Sequence, residues 1–290
     1  MPAPCATWAA GTFRFTVECR HLPLAQVLCQ ALAPLEAAGA PDRRYRIEPD
    51  PEGRLTVAVD GQALTTVDGA AAAVDWLVWH VNQQVVAEHR HRSLLLHGAA
   101  VAVDGVATVL PGCSGAGKTT LTAVLVAAGA DYLTDEVVML DTEARWVRPY
   151  PKPLTVKAGS WPTVAALTGQ GGPTGEGAWQ LPPDRLRPGA VGTAAPVTAV
   201  VVPRFVAGEG ARLRRLDPAV ALVHLTSCLF NLAELGNRAL AALASLVRRC
   251  AVAELIFGDA HEGVAALQRA GLILGGRPGR PGRRAAPRVL

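Results

Sequence analysis

Between Val106 and Ala130 the chain reads "VATVLPGCSGAGKTTLTAVLVAAGA": an apolar strand, a loop with glycines at positions 112, 115 and 117, then a helix opened by a lysine and two threonines. No other stretch restricts the fold as strongly. Gly112, Gly117, Lys118 and Thr119 match the spacing G-x-x-x-x-G-K-[ST]. Main-chain amides can curl around an anion only where side chains leave the turn free, and the following helix adds unsatisfied N–H donors and the positive end of its dipole. Such a loop has to sit between a sheet strand and a helix, so an α/β architecture is expected. The stretch from Gly112 through Cys113, Ser114, Gly115, Ala116, Gly117, Lys118, Thr119 and Thr120 is the expected phosphate cradle. Lys118 reaches β- and γ-phosphate oxygens, and the Thr119 hydroxyl is placed to ligate Mg²⁺. ATP and Mg²⁺ are the cofactors this chemistry calls for. Cys113 fills a variable loop position, and no sequence spacing supplies it with a partner thiol.

The flanks extend the pattern. "SLLLHGAAVAV" and "VATVLPG" surround Asp104-Gly105, a dipeptide suited to a tight hairpin turn. The helix after the loop stops at Gly129. "DYLTDEVVML" reads as two short strands separated by a carboxylate-bearing break. Ligands of parallel sheets sit outside the carboxyl ends of the strands, so Asp135 and Glu136 are expected in the crevice that holds the loop. One carboxylate serves the metal shell, and the other accepts a proton from an incoming hydroxyl. His97, in the first hairpin strand, reads from the residues alone as a satisfied strand histidine that pairing brings near the loop. Arg204, after "VVVP", either neutralises charge on a transferring phosphoryl group or salt-bridges at a strand end. Lys152, in "PYPKPL", reads as a solvated loop lysine, with presentation to a phosphate as the alternative.

Elsewhere, "RYRIEPDPEGRLTVAVDG" alternates around a turn, "AAAVDWLVWHVNQQVVAEH" has helical spacing, and residues 169–195 are rich in Gly and Pro and read as an exposed, mobile insertion. "APVTAVVVPRF" and "VAELIFG" read as strands, and "DPAVALVHLTSCLFN" and "NRALAALASLVRRC" as helices. The expected organisation is an N-terminal α+β unit over residues 1–90, a catalytic unit over 91–274, and an Arg/Gly/Pro tail over 275–290.

Composition narrows the partners. The formal charge is +4, but the five arginines of the tail outweigh it and leave residues 1–274 at about −1, so a general nucleic-acid surface is not indicated. The tail resembles minor-groove AT-hook peptides, but five charges interleaved with Gly and Pro read more simply as a solvated end. With 50% hydrophobic residues and no uninterrupted apolar run of membrane-spanning length, a soluble chain in a reducing cytosol is expected.

These residues resemble the HPr kinase/phosphorylase family and its kinase-only relatives. The resemblance lies in "LHGAAVAVDGVATVLPGCSGAGKTTL", "YLTDEVVML", "PYPKPLTVK" and "VTAVVVPRF", covers about residues 75–270, and is most specific between Leu94 and Lys157. It implies the sheet-based P-loop core shared with phosphoenolpyruvate carboxykinases. It also implies that His97 supports the acidic pair and that Asp135 acts as general base on a serine hydroxyl; with Asp135 in that role, Glu136 is the carboxylate left to serve the metal with Thr119. Bifunctional members carry two aspartates and a Lys-Ser loop end where this chain has Asp135-Glu136 and Lys118-Thr119, and their C-terminal phosphorolysis signature has no convincing copy here. The expected function is ATP- and Mg²⁺-dependent phosphoryl transfer to a Ser/Thr hydroxyl of a peptide or protein. The alternatives are a nucleotide-binding regulatory or assembly subunit and a kinase of a small-molecule alcohol. Members of the family are often oligomers, so a homo-oligomer fits the resemblance.

Overall fold

The computed structural model describes residues 6–169, 172 and 177–273, and is a mixed α/β structure. The arginine tail lies outside the described residues.

The N-terminal layer is a five-stranded sheet, β1 (Thr7–Ala10), β2 (Phe13–Cys19), β3 (Arg43–Pro49), β4 (Leu55–Val59) and β5 (Gln62–Val67), in that spatial order. β2 and β3 are parallel, which demands a crossover, and α1 (Leu22–Leu32) supplies it. His21 starts that helix by accepting the Leu24 amide on its Nδ1, 3.3 Å away. β2, β3 and β4 bury alternate residues on one face, and α2 (Gly69–His89) joins that core with Leu77, Val81 and Val85.

The larger sheet is built on β6 (Leu94–Val103) and β7 (Val106–Pro111), paired antiparallel. Their turn has positive φ at both Asp104 (52°) and Gly105 (78°), as the Asp-Gly pair predicts. α3 (Lys118–Ala127) follows the glycine loop, and Gly129 beyond its end has φ 110°. β8 (Asp131–Thr134) and β9 (Val137–Leu140) then pair in succession with the same edge of β6, β8 at Ala100–Ala102 and β9 at Leu94–His97. Asp135 and Glu136 occupy the break between them, where the Gly98 amide donates to the Glu136 carbonyl at 3.1 Å.

After β10 (Trp146–Arg148) come β11 (Leu154–Val156), α4 (Trp161–Thr168) and β12 (Trp179–Leu181), with β11 and β12 forming an antiparallel ribbon. β13 (Ala195–Phe205), β14 (Arg212–Arg215), α5 (Pro218–Ser227), α6 (Leu232–Leu235), α7 (Asn237–Arg249), β15 (Ala251–Phe257) and α8 (Ala260–Arg269) complete the chain. The strand order is β10-β9-β6-β7-β13-β15-β14, and β10 also pairs with β13, so β6, β7, β13, β10 and β9 close into a ring.

β7, β13 and β15 are mutually parallel, and β8 runs with them because both it and β7 oppose β6. Their carboxyl ends therefore lie at one end of the sheet. The sheet around Asp135 is mixed rather than wholly parallel, yet the carboxylates still reach the loop's end, because β8 shares the direction of β7.

β6 shows how the cores meet. Leu94, Leu96, Ala100 and Ala102 join the core that includes residues of α5 and α7, Leu95 joins the N-terminal core, and Ala99 and Val101 join the core of α3 and α8. His97 falls where the odd-numbered face passes from one core to another. The N-terminal core also takes in Val137, Met139 and Tyr150, so one apolar cluster runs across residue 90.

The Gly/Pro-rich stretch departs from its expected exposure. Residues 170, 171 and 173–176 lie outside the described residues, but Trp179–Leu181 is a paired strand, Pro183–Arg185 a 3₁₀ turn, and Leu181 and Ala190 are buried. Pairing with β11 and burial of these few apolar side chains override a composition that favours loops.

Fully buried Asn231 clamps the entry to β6. Its amide group donates to the carbonyls of Arg90 (2.7 Å) and Ser93 (2.8 Å), and its Oδ1 accepts the Leu95 amide (3.1 Å). Asn231→Leu strands all three partners and is expected to cost about 3 kcal/mol. Urea unfolding at equal m-value checks this, and a loss under about 1 kcal/mol would show that the clamp matters little.

Candidate functional site

The glycine loop sits beyond the end of β7, flanked by the ends of β13 and β15. Gly117 has φ 85°, and a Cβ there would meet Phe257 Cζ at 2.7 Å and Phe205 Cβ at 3.1 Å. Two constraints therefore require glycine at this point: a left-handed backbone and two aromatic neighbours. Within the loop the Ala116 amide donates to the Cys113 carbonyl at 3.3 Å. The amides of Gly115, Gly117, Lys118 and Thr119 find no acceptor among the described residues. They are donors waiting at a helix N-terminus.

Lys118 is buried, and its ammonium reaches back across the loop to the carbonyls of Gly112 (2.7 Å) and Cys113 (3.0 Å) and to His97 Nε2 (3.1 Å). Burial lowers its pKa, partly offset by the charges of Glu136 and Asp135. An ammonium only donates, so His97 Nε2 accepts, and its Nδ1–H points to Glu136 Oε1 at 3.3 Å. The sequence expectation that strand pairing brings His97 beside the loop holds in the structure.

The two carboxylates differ sharply. Asp135 is 1% exposed, and its oxygens are fully used: Oδ1 takes Lys152 Nζ (2.7 Å) and the Tyr132 hydroxyl (2.9 Å), while Oδ2 takes the Thr119 hydroxyl (3.2 Å) and the Thr155 amide (3.4 Å). Glu136 has a side chain 34% exposed, with His97 as its hydrogen-bonding side-chain partner. Burial pushes the Glu136 carboxyl up, but the hydrogen bond from His97 and the charges of Lys152 and Lys118 outweigh it and hold the group below its ordinary 4.5. A depressed carboxyl contributes stability above its unfolded value and loses that contribution as pH falls through the folded one. Glu136→Gln is expected to flatten the dependence of unfolding free energy on pH below about 4.5; an unchanged acid limb would refute the pairing.

Tyr132 is buried within β8, and burial together with the charge of Asp135 raises its pKa, keeping the phenol a donor. Lys152, Tyr132 and Thr155 are the site residues that sequence reading did not assign. Lys152 is 1% exposed and ion-paired, which corrects the expectation of a solvated loop lysine. Its signal was present in "PYPKPL", where flanking prolines fix the segment, but nothing local says which way the lysine points.

Around the loop, Lys157 Nζ donates to Ser114 Oγ at 2.7 Å, and the hydroxyls of Thr120 and Ser160 meet at 2.5 Å, so the segment after β11 lies against the loop and its helix. Arg204 is exposed between Pro203, which lies near Gly112, and Phe205, which lies against Gly117. It forms no ion pair among the described residues, so the strand-end salt bridge is not the arrangement found there. Cys113 is exposed and free.

No family model matches the chain, and no curated protein matches it. Among solved structures, the Hpr(Ser) kinase/phosphatase from Coxiella burnetii is similar at 13% identity, covering 61% of this chain and 90% of that one, with a TM-score of 0.31. That likeness carries no argument about fold or activity. Among the described residues no helix is long and apolar enough to cross a membrane.

Proposed function

We propose that the protein transfers the terminal phosphoryl group of ATP, with Mg²⁺, to a seryl or threonyl hydroxyl of a peptide or protein. One observation carries this reading: at the carboxyl ends of β7 and β8 a set of amide donors without acceptors among the described residues, a buried ammonium, a hydroxyl–carboxylate pair (Thr119–Asp135) and a histidine-supported carboxylate (His97–Glu136) converge. The peptide acceptor follows from the resemblance of Leu94–Lys157 to HPr kinase-like enzymes.

The residues fit a triphosphate. Amides without acceptors gain partners when an anion arrives, and a desolvated ammonium gains the counter-charge its burial withholds. The bound metal ion would neutralise charge developing on the phosphate oxygens. Thr119 is the residue suited to hold it through its hydroxyl oxygen, which the Asp135 carboxylate orients by accepting the hydroxyl proton on Oδ2 at 3.2 Å. Lys118 exchanges two loop carbonyls for phosphate oxygens, and exposed Arg204 adds a cation at the adjoining strand end.

The sequence resemblance gives the proton-accepting role to Asp135, which leaves the metal to Glu136. The geometry favours the exchange of these roles. Asp135 is buried with every acceptor position taken, whereas Glu136 has an open face and a histidine behind it that orients the carboxylate and keeps it ionised, ready to accept a proton. In a loose transition state the proton leaves late, so even a carboxylate held below its ordinary range suffices.

The test is incubation of the purified protein with ATP, Mg²⁺ and a serine- and threonine-containing peptide library, followed by mass spectrometry. A gain of one phosphate on a hydroxyl side chain supports the reading. ATP binding with neither transfer nor hydrolysis overturns it and leaves a nucleotide-binding regulator.

A further inference from the structure

Lys152 has a role that the phosphoryl-transfer chemistry above does not use. An ammonium has three donors, and Lys152 spends all three inside the protein: on Asp135 Oδ1 at 2.7 Å, the Pro153 carbonyl at 2.9 Å and Thr155 Oγ1 at 3.3 Å. With 1% exposure and no proton left over, it is not placed to grip a phosphate. What it does is fix one carboxylate oxygen from behind. The Tyr132 hydroxyl reinforces the same oxygen and touches the Lys152 carbonyl at 3.0 Å, so Oδ2 is the oxygen left facing Thr119.

The segment that carries Lys152 is held in turn by α2. The Tyr150 hydroxyl donates to Asn82 Oδ1 at 2.7 Å, and the Tyr150 amide donates to the Leu133 carbonyl at 2.8 Å. On the other side of the lysine, Thr155 Oγ1 donates to Gln180 Oε1 at 3.1 Å, and Gln180 Nε2 donates to Asp75 Oδ1 at 2.9 Å. Asp75 and Asn82 both lie on α2. A single run of hydrogen bonds therefore leads from α2 through Gln180, Thr155 and Lys152 to Asp135 and Thr119.

We propose that Lys152 is a positioning residue of the transfer site, which aims the Asp135 carboxylate at the metal-holding hydroxyl of Thr119, and that α2 of the N-terminal layer anchors the segment carrying it. This rests on the phosphoryl-transfer reading. It also gives the first ninety residues a function: they buttress a carboxylate that the second sheet supplies. Two positively charged or acidic neighbours do not explain the arrangement by themselves, because Lys118 and Glu136 are occupied with each other through His97.

The experiment compares wild-type protein with Lys152→Met and Asn82→Leu. Binding of a fluorescent ATP analogue is measured in EDTA, and Mn²⁺ affinity of the protein with a non-hydrolysable ATP analogue is measured by electron paramagnetic resonance. Lys152→Met is expected to weaken Mn²⁺ binding by at least about tenfold and to raise the Mg²⁺ concentration for half-maximal transfer by a similar factor, while metal-free nucleotide affinity stays within about twofold. Asn82→Leu, which leaves the lysine in place, is expected to move the metal terms in the same direction by a smaller factor. Should Lys152→Met fail to fold, Lys152→Met/Asp135→Asn removes the unpaired buried charge, and Asn82→Leu alone still gives the metal readout. Unchanged Mn²⁺ affinity in both folded single variants overturns the proposal and leaves the transfer reading standing. Parallel loss of metal-free nucleotide affinity overturns it differently, by making Lys152 a phosphate contact. A wild-type protein that binds no nucleotide overturns both.

Discussion

Lys118→Met is expected to lower kcat/KM for transfer by roughly 10³-fold, about 4 kcal/mol, with most of the loss in nucleotide handling and little loss of stability. The two parts of this expectation come from the same geometry. In the structure the ammonium is desolvated and is held by two carbonyls of its own loop and by His97. Removing it forfeits those contacts but also removes a charge whose burial is unfavourable, so the two effects offset in the folded protein. Nothing offsets the loss once phosphate oxygens should replace the carbonyls. Steady-state kinetics and a thermal melt of the same preparation check both halves. A variant that keeps its rate would mean that the amide nest, not the lysine, supplies the attraction. A variant that unfolds would mean that Lys118 acts chiefly as a strut across the loop.

The second large effect separates the two adjacent carboxylates. Glu136→Gln is expected to reduce kcat by about 10³-fold while nucleotide affinity and Mg²⁺ dependence stay near wild type, as loss of a proton acceptor requires. Asp135→Asn is expected to do something different. It weakens the pairing of Lys152, 2.7 Å away and fully buried, at a cost of about 3 kcal/mol or more in stability, and it raises the Mg²⁺ requirement. The contrast is informative because the residues are neighbours in sequence and their environments alone distinguish them. If Asp135→Asn lowers kcat at unchanged metal dependence and Glu136→Gln transfers at the wild-type rate, the roles read from the family resemblance are restored. Non-additivity of the double variant adds a further check, since groups acting as one unit lose less together than the sum of their separate losses.

Much of this site is legible in the sequence because its key elements are local. The hairpin announces itself through Asp104-Gly105, the loop through its glycines, and the break between β8 and β9 through two carboxylates in an apolar run. His97 could be placed near the loop because strand pairing is itself a local consequence of a two-residue turn. Lys152 could not be placed in this way. Its partner is seventeen residues upstream, and the side chain's direction is set by contacts with Tyr132, Tyr150 and Thr155 that no period or motif encodes. The same reason explains the stretch after α4: Gly and Pro describe its backbone habits, but pairing of β12 with β11 is a long-range event. The short strands β10 and β14 escape for want of length, since three or four residues carry too little alternation to register. The split between Asp135 and Glu136 is legible only in three dimensions, where one residue is buried against the segment carrying Lys152 and the other is left partly exposed.

The central claim is that the main-chain amides of the glycine loop, with Lys118, receive a triphosphate. A crystal structure of the protein with Mg²⁺ and a non-hydrolysable ATP analogue tests it most directly. The account predicts phosphate oxygens within hydrogen-bonding distance of the amides from Gly115 to Thr119, with the Lys118 ammonium moved off the carbonyls of Gly112 and Cys113 and onto the phosphates. Nucleotide bound elsewhere, with Lys118 still tied to those two carbonyls, would contradict it.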